Sequence, residues 1–140
     1  MADLATSYMG LKIRNPIIVA ASDFTNSFQG ILHCQEAGAG AVVMKSLFEE
    51  QFLEAEVLAE KGYQVYPEAL DYLRGRVLLE YSPQKICRTI EEARRDLKIP
   101  IIASINCQSP KLWPSFARQL QDAGASALEL NIWLCPKVTG

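Results

Sequence analysis

Histidine is almost missing from this 140-residue chain: His33 stands alone. A metal centre built on several imidazoles is therefore excluded, and His33 reads as a residue of a helix surface. The four cysteines, Cys34, Cys87, Cys107 and Cys135, are scattered without a Cys-x-x-Cys pair, which excludes a disulfide-stapled scaffold and predicts reduced thiols. Charge of one sign is not in excess. Fourteen Lys and Arg face sixteen Asp and Glu, a net charge of −2, so no electrostatic footprint for nucleic acid or anionic lipid exists. No apolar run approaches the roughly 18 residues that span a bilayer, and the opening MADLATSYMG lacks a charged segment followed by an apolar one. No membrane contact and a cytoplasmic location are the expectations. A Gly-x-Gly-x-x-Gly loop after a strand is also absent, because Gly38 and Gly40 precede their strand, and this excludes a Rossmann or P-loop site.

What is present is a composition of 49% hydrophobic and 21% charged residues, that of an ordinary globular domain. Four short apolar runs carry a polar residue at or next to their C-terminal end: 16–22 (PIIVAAS), 41–46 (AVVMKS), 100–106 (PIIASIN) and 127–132 (ALELNI). Strands buried on both faces lose the polar/apolar alternation, and stretches of helical periodicity separate these runs. They are predicted to be parallel strands whose C-terminal ends gather Ser22, Lys45, Ser46, Asn106 and Asn131 on one rim. The predicted fold class is α/β: about four βα units, the N-terminal half of a TIM (βα)8 barrel, in one partial domain over 1–140. A complete barrel needs about 250 residues.

The helices have their own signals. Asn26 or Ser27 caps a first helix with Phe28, Ile31, Leu32 and Ala37 at helical spacing and Gly38 at its end. Ser82 caps another, with Pro83 in the first helical position and Ile86, Ile90, Ala93 and Leu97 in one stripe. A third carries Phe116, Ala117, Leu120 and Ala123, with an irregular first turn predicted at Pro114. Residues 47–62 read as helical, and 47–81 as a long excursion holding Tyr63, Tyr66, Tyr72 and Tyr81, either a lid over a planar ligand or simple packing. The segment 36–46 (EAGAGAVVMKS) is echoed by 122–132 (DAGASALELNI), which predicts the same helix end, tight turn and strand twice over. Four βα units leave sheet edges open, so a partner is expected, either a second copy or a C-terminal half-barrel.

Several of these residues can carry chemistry. Lys45 closes a strand of Val and Met, so its ammonium must reach a rim pocket or water, where it can stabilise negative charge on a bound ring or carboxylate. Asn131 offers a donor and an acceptor to one edge of a heterocycle, or ties strand to loop. Ser104 and Asn106 flank Ile105 and share the face opposite it. Cys135, followed by Pro136, can serve as a base if its thiol is acidified, or be inert. Lys45 could alternatively form a Schiff base in an aldolase, which borohydride trapping would reveal.

The ordered set 15–22 (NPIIVAAS), 37–46 (AGAGAVVMKS), 102–105 (IASI) and 129–132 (ELNI) resembles the dihydroorotate dehydrogenase family, which includes the flavin barrel of dihydropyrimidine dehydrogenase. The resemblance implies an FMN-binding (βα)8 barrel that passes a hydride between a dihydropyrimidine and flavin while a Cys or Ser base takes a proton. It implies that Ala20, Ala21 and Ser22 approach the flavin, that Lys45 and Ser46 contact its ring and the pyrimidine-like substrate, that Ser104 belongs to the third-strand motif, and that Asn131 bonds ring and pyrimidine. Cys135 and Lys45 are the catalytic candidates it yields, and no metal is implied. The family's Asn-x-Ser-Cys-Pro stands here as 131–136 (NIWLCP), with Cys135 one place late and Trp133 where Ser is usual. The asparagine-rich second-strand loop is replaced by 66–69 (YPEA), and strands five to eight, with a second flavin-contacting lysine, are not found. A divergent branch, complete only with a late half-barrel, is the resulting expectation; a non-catalytic half-barrel homodimer is the alternative.

Overall fold

The structure, a computed structural model, describes residues 2–50 and 82–132. An antiparallel hairpin opens it, β1 (Thr6–Tyr8) against β2 (Leu11–Ile13). Its two-residue turn, Met9-Gly10, has positive φ at both positions (51° and 77°), the hand that matches the twist of the flanking strands. This hairpin was not foreseen from the sequence. Then come β3 (Ile18–Val19), a one-turn 3-10 helix (Asp23–Asn26), α1 (Phe28–Glu36), β4 (Ala41–Val43) and β5 (Leu47–Phe48). From residue 83 on follow α2 (Pro83–Asp96), β6 (Ile101–Asn106), α3 (Leu112–Asp122) and β7 (Ala127–Leu130).

All pairings in the main sheet are parallel: β3 with β4, β4 and β5 both with β6, and β6 with β7. The order is thus four rows, β3, β4/β5, β6 and β7, with helices between successive rows. This is the half-barrel architecture expected. Two predictions are corrected in detail. Leu47 and Phe48 are strand rather than helix, because the six-residue β6 offers them a partner at Ile105 and Asn106; helix begins only at Glu49, and the rest of 47–62 lies outside the described residues. The first turn of α3 is regular at Pro114, since the helix starts two residues earlier and a first-turn N–H has no intrahelical acceptor to lose.

Local rules explain the helices. Ser27 Oγ accepts from the Gly30 N–H (3.2 Å) and Ser82 Oγ from the Lys85 N–H (3.2 Å), each satisfying a donor that its helix leaves orphaned. The two echoed segments fold alike. Gly38 and Gly124 take φ of +94° and +97°, while Ala39 N–H and Ala125 N–H reach back to the carbonyls of Cys34 and Leu120, both at 3.0 Å. Next, Gly40 N–H and Ser126 N–H each bond the carbonyl of a neighbouring row, Ile17 and Ile101, both at 2.7 Å.

The strands then separate two apolar clusters. On the helix side, Ile31, Val42, Met44, Leu47, Ile86, Ile90, Ile101, Ala103, Ile105, Phe116 and Leu120 form the main core. The opposite, inner face carries a small cluster, Ala41, Val43 and Ile102 with Ile13 of the hairpin, against which Leu11, Ile18, Ala21 and Ala127 pack. The hairpin therefore covers part of the inner face.

Candidate functional site

Parallel pairing brings the C-terminal ends of all four rows to one rim, and each row contributes differently. The second row is interrupted. Val43 pairs with Ile102 and Leu47 with Ile105, so three residues, 44–46, stand opposite two, 103–104. This is a one-residue bulge, and a bulge re-aims side chains. Met44 and Leu47 both join the helix-side core, which leaves Lys45 and Ser46 together on the inner side. In an unbroken strand one of these neighbours would face the helices.

Ser46 Oγ lies 2.7 Å from Ser104 Oγ, and Ser104 Oγ donates to Glu129 Oε1 at 2.7 Å. Both serines are buried, whereas Glu129 is exposed. Ser104 stands between Ala103 and Ile105, which face the helices, so period two turns it inward. Asn106, on the same side, donates from Nδ2 to the Asn131 carbonyl (2.7 Å), and the Asn131 N–H bonds the Ile105 carbonyl (2.9 Å). The backbone of Asn131 is thereby fixed at the end of the fourth row while the residue itself is exposed.

Lys45 Nζ pairs with Asp23 in the first-row turn. Lys45 is largely buried and Asp23 almost fully exposed, so solvent screens the pair from the carboxylate's side. Ser22 holds that turn: its N–H donates to Thr25 Oγ1 (3.1 Å), and the Thr25 hydroxyl donates to the Ser22 carbonyl (3.0 Å). Ala20 lines a cavity of about 400 Å³ with Ile18, Val43, Ile102, Leu128 and Glu129, roofed by Tyr8 and Met9 of the hairpin. Ala21 packs against the inner apolar patch.

The structure thus assembles Ala20, Ala21, Ser22, Lys45, Ser46, Ser104 and Asn131 at one end of the sheet. Cys135, Trp133, Pro136 and the tyrosines Tyr63, Tyr66, Tyr72 and Tyr81 lie outside the described residues. Three carboxylates were overlooked in the sequence. Asp23 and Glu129 are described above. Glu49 is buried, and its Oε2 accepts from the N–H groups of Gln108 (2.6 Å) and Ser109 (2.7 Å), tying the start of the excursion to the loop after β6. Only Glu129 left a readable signal, since alternation along 127–132 puts it on the side of Ala127.

Burial pushes the thiols of Cys34 and Cys87 up, the latter also through the negative charges of Glu91 and Asp122. Burial, with Glu49 adding to it, drives Cys107 to about 11. None of the three is an acidified nucleophile. Among the described residues no group of three or more His, Cys, Asp or Glu could hold a metal ion, and no helix is long and apolar enough to cross a membrane.

No family model matches the chain. Among curated proteins it is 32% identical over its whole length to the catalytic subunit of dihydroorotate dehydrogenase B (NAD(+)) of Thermoplasma acidophilum, covering 44% of that protein. It is 30% identical over 94% of its length to the corresponding subunit of Methanosarcina acetivorans, covering 40%. It is 25% identical over 98% of its length to the NAD-dependent dihydropyrimidine dehydrogenase subunit PreA of Escherichia coli, covering 33%. The chain spans less than half the length of each of these relatives.

Proposed function

We propose that this chain, a relative of the dihydroorotate and dihydropyrimidine dehydrogenases over its whole length, is the N-terminal half of an FMN-dependent oxidoreductase acting on a dihydropyrimidine-like ring. One observation carries this reading: the bulge at 44–46 turns Lys45 and Ser46 inward together, beside the buried Ser104, whose partner Glu129 lines a cavity shared with Ala20, Val43 and Ile102.

The polar groups of this rim fit the ring of FMN. An ammonium, two hydroxyls and an amide surround a site flanked by alanines, and such groups can satisfy an isoalloxazine's polar edge while its faces stay against apolar atoms. The flavin would supply hydride acceptance. Lys45 would hold negative charge on the ring or on a substrate carboxylate, with Asp23 displaced. Ala20, Ala21 and Ser22 would line the ring from the first row, and Asn131 would bond ring and pyrimidine from the fourth. As the resemblance implies, Cys135 would take the proton that the dihydropyrimidine gives up along with its hydride. The phosphate-holding loops and the second lysine would come from strands five to eight, in a longer parent chain or a partner, because the groups that react must be placed together for most of the acceleration.

The test is flavin retention. The purified chain, and a version extended to a full barrel, should bring down yellow flavin whose absorption tracks protein concentration; colourless preparations of both would overturn the reading.

A second reading, a non-catalytic half-barrel that persists as a homodimer, has its own motive. Among the described residues each of β3 and β7 pairs on one side only, and Ile17, Leu130 and Ile132 beside them are 62%, 54% and 69% exposed. Two copies set β7 against β3 would close both edges. A monodisperse monomer by light scattering would count against it.

A further inference from the structure

The hydroxyl chain from Ser46 through Ser104 to Glu129 has a direction. A carboxylate only accepts hydrogen bonds, so the single proton of Ser104 Oγ goes to Glu129 Oε1 (2.7 Å). What Ser104 then offers Ser46, also at 2.7 Å, is a lone pair, and the Ser46 proton is committed to it. Ser46 Oγ keeps only lone pairs for anything else.

We propose that Glu129 acts as a positioning residue which, through Ser104, makes Ser46 an obligate hydrogen-bond acceptor, so that a ligand on this rim must present an N–H to Ser46. The inference rests on the reading of the rim as a flavin site. A ring carbonyl or a phosphate oxygen would meet lone pair with lone pair at this point and be rejected, whereas a cyclic imide fits. The oxidised isoalloxazine ring has one N–H, its imide, so that edge is the one assigned to Ser46. Leaving a buried acceptor without its donor costs about 1–3 kcal/mol, which converts to roughly 5- to 150-fold in affinity.

Equilibrium titration of the purified chain with FMN and with its N3-methylated analogue, which lacks the imide N–H, tests this without any turnover. The analogue should bind at least about tenfold more weakly to the native chain. In Glu129→Gln, whose side-chain carbonyl still accepts from Ser104, the discrimination should survive. In Glu129→Leu and in Ser104→Ala the Ser46 hydroxyl can turn, and the ratio should fall below about threefold. Glu129 is exposed, so Glu129→Leu should keep the native melting temperature and serves where Ser104→Ala fails to fold. Equal affinity for the two flavins in the native chain, or discrimination that persists in Glu129→Leu, would overturn the inference and leave the flavin site standing. Binding of neither flavin by the chain or by its version extended to a full barrel would remove the site and the inference together.

Discussion

The two faces of the main sheet are made by alternate residues of the same strands, yet they are built for different ends. On the helix side, Ile31, Ile90 and Ile105 have no exposure, and apolar contact runs without a break from Phe116 to Met44. The inner side has a small apolar patch at its base, then Ser46, Ser104, Asn106 and the Lys45–Asp23 pair at its rim. Hydrophobic stabilisation scales with the apolar area removed from water, so the fold is held mainly by the first face. The second is left with polar groups that bond one another in short chains.

The difference can be measured. The largest effect should come from truncating the helix side: Ile90→Ala should cost about 3 kcal/mol in urea unfolding, because a fully enclosed cavity cannot collapse. Ile18→Ala, half-buried on the inner patch, should cost about 1 kcal/mol or less. Equal costs would erase the distinction between the faces.

A second test separates stability from binding at the rim. Lys45→Ala should weaken flavin about tenfold, or ~1.4 kcal/mol, while the melting temperature stays nearly constant, since its partner Asp23 is exposed. Cys135→Ala should weaken flavin less. Equal loss of substrate-driven flavin reduction in both variants, followed by the bleaching of the yellow colour, would identify Cys135 as the base in spite of its displaced position.

The smallest effect is one of pH. Cys107 sits in the helix-side core at the end of β6, and its thiol is raised by burial, and secondarily by Glu49, from 9.0 to about 11. Between these values the folded chain keeps a proton that the unfolded chain has lost, so stability falls as pH rises through the window. Denaturation midpoints at pH 8 and pH 11 should differ more in the native chain than in Cys107→Ala; identical slopes would show that the thiol does not titrate with folding.

Much of this was readable in the chain. The stripes Ile86-Ile90-Ala93 and Phe116-Leu120-Ala123, the caps Ser27 and Ser82, and the paired turns at Gly38 and Gly124 depend on contacts within a few residues, and local periodicity reports them. The hairpin of β1 and β2 went unseen because three-residue strands are too short for alternation to stand out. The break between β4 and β5 went unseen for a different reason: nothing in 41–48 alone distinguishes a straight strand from a bulged one.

By itself, then, the sequence determined the four rows of the main sheet, the helices between them and their parallel direction, because alternating short apolar runs with amphipathic helices admit few other arrangements. It also determined that polar residues would stand at or just beyond the C-terminal end of each row. Only the tertiary structure decided which way those residues turn. The extra residue at 44–46 exists only relative to the register of β6, more than fifty positions further on, and that offset alone sets Ser46 beside Ser104. Glu129 joins them for the same reason, since its place opposite Ser104 is a property of pairing between rows. A hydrogen-bond chain across three strands is fixed by register, and register belongs to the assembled sheet.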